Sequence, residues 1–285
     1  TILGGSGVTG PAFSYTFLCR RGLPRQVPEG PVPYRRIIRM ALPLAIADDL
    51  RAGLDTAEDL IIPKRLALFT TTAAAMAEYG VVRGMVFPVL MFPSAILFSL
   101  AELLIPEFSR CSAGRRVPRV RYLARRSLRI TLLFGLGVGG MLLCIAGPLG
   151  TLLYQDPRAG AGLRLYAPFV PVLYLDIIVD AICKGLGLQD ANARRNALTS
   201  FLDVILLWSL LPRAGMGGYY LCFAITHLLN FLLSLRCLIR AADLRLDGAM
   251  VVRAVLCAVA AAAGTAALPQ GGRIIDIVLS GVCYL

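Results

Sequence analysis

Long apolar stretches, each about as long as a membrane is thick, are the dominant pattern along the chain. A helix needs about 20 mostly apolar residues to cross the hydrocarbon core of a bilayer. Nine stretches approach that length, of which the sixth is short, and no run alternates apolar and polar residues as a strand does. They cover residues 2–18, 40–62, 85–108, 130–154, 163–186, 197–212, 215–235, 250–269 and 274–285. The pattern predicts an all-α fold, a polytopic bundle of membrane helices.

Composition supports this interpretation. The chain is 57% hydrophobic and only 16% charged, whereas about a quarter of the residues of a soluble domain are charged. The net charge of +12 raises the question of nucleic acid, but no basic face with a recognition motif is visible, so we predict no nucleic-acid partner. The eight cysteines form no C-x-x-C pair and there is one histidine, so we predict no metal site.

The loops between the apolar stretches carry an uneven charge. With the first loop in the cytoplasm, alternation places 21 lysines and arginines on the inner side and seven on the outer side. Basic residues collect in cytoplasmic loops of membrane proteins, so the topology is well supported. We interpret the most arginine-rich loop, 112–129, as a topology determinant on the anionic inner leaflet rather than as a specific lipid or nucleic-acid site.

Charged side chains interrupt the second apolar stretch, "ALPLAIADDLRAGLDTAEDLIIP". On a helical wheel Asp48, Arg51, Asp55, Glu58 and Asp59 share an arc of about 100°. Each charge facing lipid at mid-bilayer costs a few kcal/mol, so this stripe must face water, protein or substrate. Arg51 can pair with Asp48 and Asp55, which are three and four residues away, and still leaves an acidic excess.

Further polar residues interrupt the other apolar stretches: Glu102, Glu107, Asp176, Asp180, Lys184, Asp203, His227 and Asn230. Asp176, Asp180 and Lys184 lie along one side of a helix because they are four residues apart. Acidic residues inside a membrane usually mark ion or substrate pathways, so we expect Asp176 and Asp180 to line a polar cavity together with the stripe of the second stretch. We expect Glu107, Asp203 and Lys184 to lie near helix ends, where such side chains reach the interface.

Several long stretches of the sequence resemble a known family. They are "TAEDLIIPKRL" (56–66), "YGVVRGMVFPVLMFPSAILFSLAELLIPEFSRC" (79–111), "YLARRSLR" (122–129), "APFVPVLYLDIIVDAICKGLGLQDANARRNALTS" (167–200) and "LLPRAGMGGYYLCFAITHLLNFLLSLRCLIR" (210–240). The chain resembles the stage V sporulation protein B-like branch of the polysaccharide flippases. That branch belongs to the MATE/MOP superfamily of multidrug/toxin extrusion transporters and lipid-linked oligosaccharide flippases.

The resemblance implies two six-helix lobes around a central cavity, working by alternating access. Residues 1–39 would then contain the last helix of the N-terminal lobe and the basic inter-lobe loop. Residues 40–240 would form the C-terminal lobe, and 241–285 would form additional, truncated transmembrane helices. We therefore expect the chain to be the C-terminal part of a longer protein, whose N-terminal lobe is its partner across the cavity.

The resemblance also suggests roles for the polar residues, helix by helix. Related exporters have an acidic cation site between their seventh and tenth helices, which here carry Asp55, Glu58 and Asp59, and then Asp176 and Asp180. The last two are our cation-coupling candidates. Lipid II flippases hold pyrophosphate with cavity arginines, because a guanidinium binds a phosphate in a bidentate manner. The substrate or cavity residues are therefore Arg51 first and Arg83 second, with Asp48, Asp55, Glu58, Asp59 and Glu102.

The function implied is the flipping of an undecaprenyl-pyrophosphate-linked oligosaccharide or peptidoglycan precursor across a bacterial inner membrane. The context would be sporulation or polysaccharide export, with coupling to a proton or sodium ion and no cofactor. A multidrug/cation antiporter on the same scaffold is the alternative. An enzyme is not expected: an intramembrane aspartyl protease needs G-x-G-D, whereas "GLGLQD" places Asp190 three residues after Gly187, and no other catalytic motif is present.

Overall fold

The computed structural model describes residues 49 and 52–243. Short turns join helices throughout this part of the chain, which contains no strand, so the predicted all-α class is confirmed. Residues 52–243 form six helices: α1 (52–66), α2 (Thr72–Ala113), α3 (Val117–Tyr154), α4 (Pro157–Gly185), α5 (189–214) and α6 (216–242). The runs Thr72–Ala113, Val117–Tyr154, Pro157–Gly185 and Gln189–Ala242 are long and apolar enough to cross a membrane.

Some of the predicted features lie outside the described residues. They are the apolar stretches 2–18, 250–269 and 274–285, together with Asp48 and Arg51. The predicted division at residues 39 and 240 also stays a prediction, because nearly all of the described residues fall in its middle part.

Helix α2 is interrupted where prolines occur. A π-helical turn covers Val82–Val86, and the amide of Phe87 donates to the carbonyl of Val82. A 3₁₀ turn covers Phe92–Ser94. Prolines at 88 and 93 have no N–H and their rings clash with the preceding turn, so the regular α pattern cannot continue through them.

Helices α5 and α6 form an antiparallel hairpin with its turn at Gly215. Its backbone has φ 56° and ψ −137°, a conformation that glycine adopts readily and other residues avoid. A Cβ on Gly215 would lie 2.6 Å from the Phe69 ring. The prediction of separate helices on either side of residues 213–214 is therefore confirmed. The Thr199 hydroxyl lies 3.1 Å from Oδ1 of Asn230, which joins the two arms.

Helices α3 and α4 pack with their backbones in direct contact. A Cβ on Gly150 would lie 2.3 Å from the backbone nitrogen of Gly160, so neither position has room for a side chain. Small residues let membrane helices approach this closely. The buried hydroxyl of Tyr174 on α4 donates to the carbonyl of Leu90 on α2 at 2.8 Å. Helix α4 is thus held against α3 and α2.

One end of the bundle carries most of its positive charge. The α2–α3 turn, the α4–α5 turn and the end of α6 meet here, since Arg121 at the start of α3 donates to the carbonyl of Ala242 and forms an ion pair with Asp243. Eight arginines lie between residues 110 and 129. We call this end the arginine-rich end. By the positive-inside rule we expect it to face the cytoplasm.

Candidate functional site

A polar cavity of about 300 Å³ lies between α1, α2, α5 and α6, with one residue from α4. We call it the central cavity. Its described lining contains five carboxylates, those of Asp55, Glu58, Asp59, Asp176 and Asp203, and one guanidinium, that of Arg83. The other lining residues are uncharged or aromatic: Ile62, Tyr79, Phe87, Thr199, Ser200, Leu207, Tyr219, Phe223, Thr226, His227 and Asn230. Such an acidic excess within a helix bundle attracts cations.

Helix α1 supplies three of these carboxylates. Asp55, Glu58 and Asp59 are three and four residues apart and therefore share one face of the helix. Each lines the central cavity, as does Ile62 one turn further on. The described members of the predicted acidic stripe thus line one shared cavity, as expected of charges that avoid lipid.

Helix α2 brings a phenol and a guanidinium to Asp59. The Tyr79 hydroxyl donates to Oδ1 of Asp59 at 2.5 Å, and Nη2 of Arg83 lies 3.4 Å from the same oxygen. Arg83 belongs to the π-helical turn of α2, a type of turn that often occurs at functional sites. Arg83 remains 56% exposed, so its guanidinium can reach a bound anion.

Asp203 is the carboxylate whose position the sequence analysis missed. We expected it near a helix end, but it lies near the middle of α5 (189–214). It lines the central cavity across from α1, beside Thr226 of α6. Its Oδ1 is buried, and no described group donates to it. Two features of the sequence could have indicated this position. Asp203 lies in the second turn of the short apolar stretch 197–212, and it is four residues after Thr199, so the two share a helix face.

A hydroxyl, an amide and a carboxylate are hydrogen-bonded in series at the edge of the central cavity. Oδ1 of Asn230 lies 3.1 Å from the Thr199 hydroxyl, and Nδ2 of Asn230 donates to Oδ2 of Asp176 at 3.2 Å. The three residues connect α5, α6 and α4. Nearby, Nδ1 of His227 is 3.1 Å from the carbonyl of Phe223, and the two rings pack at a tilt of 30° with centroids 4.0 Å apart. His227 is therefore packed and hydrogen-bonded within α6.

A second polar cavity, of about 280 Å³, lies closer to the arginine-rich end. Its lining includes Glu102, Asp180 and Asn192, and it shares Asp176 with the central cavity. Asp180 is well paired here: Nζ of Lys184 lies 2.7 Å from Oδ2, and the amide of Asn192 donates to Oδ1. Lys184 is the next-to-last residue of α4, as expected of a residue near a helix end.

The predicted cavity residues therefore divide between two cavities. Asp55, Glu58, Asp59, Arg83 and Asp176 meet in the central cavity. Glu102 and Asp180 line the second cavity, and Glu107 instead accepts from Arg119 at 2.7 Å at the α2–α3 turn. Asp48 and Arg51 lie outside the described residues. Among the described residues, no three carboxylate, thiol or imidazole groups form a cluster able to hold a metal ion.

The long apolar helices and the charged internal cavities are typical of a multi-pass α-helical membrane protein. No protein-family model matches the chain. It is 26% identical over 162 residues to stage V sporulation protein B of Bacillus subtilis (strain 168), which is 56% of this chain and 31% of the relative. It is also 26% identical over 154 residues to sporulation protein YkvU of the same organism, covering 54% of this chain and 35% of that protein.

A third relative, the uncharacterized membrane protein YabM of Bacillus subtilis (strain 168), is 24% identical over 137 residues, or 48% of this chain and 26% of that protein. The matches thus span about a third of the length of these curated relatives. The resemblance to stage V sporulation protein B-like proteins is confirmed, and the chain is a multi-pass membrane protein. None of the three names is that of an enzyme.

Proposed function

We propose that this chain is part of a transporter that flips an undecaprenyl-pyrophosphate-linked glycan across the bacterial inner membrane by alternating access. The observation that carries the proposal is the central cavity, where five carboxylates and one guanidinium line a space inside a helix bundle. A merely structural membrane protein has no need for such a cavity, because each charge in the bilayer is costly to insert. The similarity to stage V sporulation protein B supports the type of transporter.

The charge balance of the central cavity supports coupling to a cation. Among the described residues Arg83 forms an ion pair with one carboxylate, Asp59, and Oδ1 of Asp203 accepts no hydrogen bond. Like charges that line one cavity repel each other. A proton or a sodium ion entering the cavity relieves that repulsion. Its arrival and departure can therefore bias two conformations of the transporter.

The guanidinium of the central cavity supports an anionic substrate group. Nη2 of Arg83 lies 3.4 and 3.5 Å from the two oxygens of Asp59, which is too long for a strong charge-assisted hydrogen bond. Arg83 can therefore exchange Asp59 for a pyrophosphate at little cost. In the proposal Arg51, from the charged stripe of the second apolar stretch, provides the first pyrophosphate contact and Arg83 the second.

A cationic-drug antiporter is the second candidate function. The excess of carboxylates over guanidinium groups in the central cavity favours it, because a bound organic cation would be attracted by the same charges. The two functions differ in what must cross the membrane and in the role of the arginines. An antiporter of cationic drugs gains nothing from Arg83.

The test uses the full-length protein reconstituted in liposomes. Translocation of a fluorescent lipid-linked oligosaccharide is followed beside efflux of a cationic dye, with and without a proton or sodium gradient. We expect glycan movement that falls at least tenfold in Arg51→Ala and in Arg83→Gln, since each removes a charge-assisted contact worth about 1.4 kcal/mol or more. The matched control is Arg213→Gln, which changes an exposed arginine that lines neither cavity.

The two outcomes separate the candidates. Dye efflux without glycan movement would reject the flippase and establish the antiporter. The coupling step has its own test: if Asp176→Asn combined with Asp180→Asn leaves flipping and its cation dependence unchanged, these two residues do not couple transport to a cation.

A further inference from the structure

A third pocket lies at the arginine-rich end of the α5–α6 hairpin and is separate from both polar cavities. It has a volume of about 550 Å³, and we call it the arginine pocket: Arg195, Leu233, Arg236, Cys237, Arg240 and Ala241. None of these residues lines the central or the second cavity. The arginine pocket is therefore a separate site from the two cavities proposed for transport.

The arginine pocket contains three guanidinium groups and no described carboxylate. Arg236 and Arg240 are exposed and lie one turn apart on α6, and no ion pair in the described part of the chain includes either one. Arg195 comes from α5. Its Nη2 donates to Oδ1 of Asn192 at 3.0 Å, while its buried Nε has no acceptor. An unpaired donor beside two uncompensated charges predicts an anionic ligand with several oxygens.

An apolar stripe on the surface of α6 leads to this pocket. Exposed large apolar residues follow one another at helical spacing and continue directly into the two arginines: Leu221, Ile225, Leu228, Leu232, Arg236 and Arg240. These six positions share an arc of about 120° on a helical wheel. A phospholipid presents the same order of chemistry, acyl chains followed by a charged headgroup.

The arginine pocket lies at the level where a lipid headgroup is expected. Arg240 is two residues before Ala242, whose carbonyl accepts from Arg121 at the start of α3. The pocket therefore lies level with the arginine-rich α2–α3 turn, where the anionic headgroups of the inner leaflet attract basic residues. We propose that the arginine pocket binds the phosphodiester headgroup of an anionic phospholipid, with an acyl chain along the α6 stripe.

A membrane phospholipid suits this pocket better than the transport substrate does. The two α6 arginines are on the outside of the bundle, in line with the exposed apolar stripe. A transported headgroup must instead enter the central cavity, whose lining is acidic. In this proposal the phospholipid contacts arginines of both α5 and α6 and so stabilises the packing of the two helices at the inner membrane surface. This inference holds whether or not the proposed transport function does.

The experiment compares lipid retention by native mass spectrometry, using the full-length protein in an uncharged detergent. Phosphatidylglycerol is titrated against chain-matched phosphatidylcholine, inorganic phosphate and a polyprenyl pyrophosphate. The variant is Arg236→Gln with Arg240→Gln. Its matched control is Arg125→Gln with Arg129→Gln, which removes two exposed arginines with the same spacing at the same end of the bundle.

We expect wild type to retain phosphatidylglycerol in preference to phosphatidylcholine. The pocket variant should lose affinity by about 25-fold, or about fivefold per arginine, and the control by less than threefold. Equal losses in the variant and the control would overturn the proposal, because they would show attraction to the general surface charge. Preference for polyprenyl pyrophosphate, or binding of inorganic phosphate as tight as that of the lipid, would also overturn it. Circular dichroism verifies that both variants are folded.

Discussion

The two polar cavities share Asp176 but treat their carboxylates differently. In the second cavity Asp180 is neutralised by Lys184 at 2.7 Å and accepts a hydrogen bond from Asn192. In the central cavity five carboxylates share a single guanidinium, and Oδ1 of Asp203 has no described donor. The second cavity thus neutralises Asp180 within a hydrogen-bonded network, whereas the central cavity keeps a charge imbalance that a mobile ion can relieve.

The difference indicates that charged groups inside a membrane protein can have two roles, one in helix packing and one in binding. Paired and hydrogen-bonded groups fix the packing of neighbouring helices, and removing one partner lowers stability. Carboxylates in excess of the nearby cations contribute less to packing and are available to bind a cation. Neutralising a carboxylate of the central cavity should therefore affect transport, and breaking the network of the second cavity should affect stability.

The largest effect is expected in the central cavity. Asp55→Asn combined with Asp203→Asn should lower gradient-driven transport about 100-fold, which corresponds to about 2.7 kcal/mol of lost coupling. The melting temperature should not fall, because two repelling charges are removed. Flux assays in liposomes beside thermal unfolding in detergent provide the measurement. Asp190→Asn, an exposed carboxylate outside both cavities, is the control, and an equal loss there would contradict the expectation.

The next effect concerns the network of the second cavity. Asn192 is 4% exposed, donates to Asp180 and accepts from Arg195 and Ser234. Asn192→Leu should lower the free energy of unfolding by about 2 kcal/mol, because several buried groups lose their partner. The matched control is Asn196→Leu, since Oδ1 of Asn196 is buried with no partner, and it should cost less than 0.5 kcal/mol. Unfolding can be followed by the reaction of buried cysteines with a thiol dye.

A smaller effect is expected from the phenol that contacts Asp59. Tyr79→Phe removes its 2.5 Å hydrogen bond to the carboxylate, an interaction worth about 1 kcal/mol. The cation concentration at half-maximal transport should therefore shift about fivefold. Tyr219→Phe is the matched control, because Tyr219 lines the same cavity and packs edge-on against the Tyr79 ring at 6.0 Å. Equal shifts in both variants would show that ring packing, rather than the hydrogen bond, is responsible.

The smallest effect is expected for the ion pair of the second cavity. Lys184→Met removes the charge facing Asp180, but both side chains remain partly exposed at 48% and 32%. Such a pair, four residues apart on a helix, contributes about 0.5 kcal/mol. Stability should fall by about that amount and transport should stay within twofold. A tenfold loss of transport would instead place Asp180 in the coupling pathway, as the sequence analysis suggested.

Much of the helical architecture could be predicted from hydropathy, while helix lengths could not. The stretch 130–154 was predicted as a membrane segment, and α3 extends over Val117–Tyr154. Hydropathy reports the part of a helix that lies in lipid. The backbone hydrogen bonds of α3 continue beyond it through the basic residues 117–129, because polar side chains do not interrupt a helix.

The division of the acids between cavities could not be predicted. Asp176 and Asp180 lie on one side of α4, as their spacing indicated, but only Asp176 reaches the central cavity. Four residues advance a helix by about 6 Å, which is enough to carry a side chain from one cavity to the next along the bundle. The position of Asp203 in the central cavity could not be predicted either, because nothing in the sequence around it indicates that it faces α1.

The sequence by itself determined that this is an all-helical membrane protein, which face of α1 is acidic and which end of the bundle carries the arginines. These features depend on residues close together in the chain and on their transfer between water and lipid. Only the tertiary structure decided which carboxylates share a cavity and which are paired. Contacts such as Tyr79 with Asp59, or Asn230 with Asp176, depend on how each helix is rotated and packed against its neighbours. Interlocking side chains from distant parts of the chain set that rotation, so no local periodicity contains it.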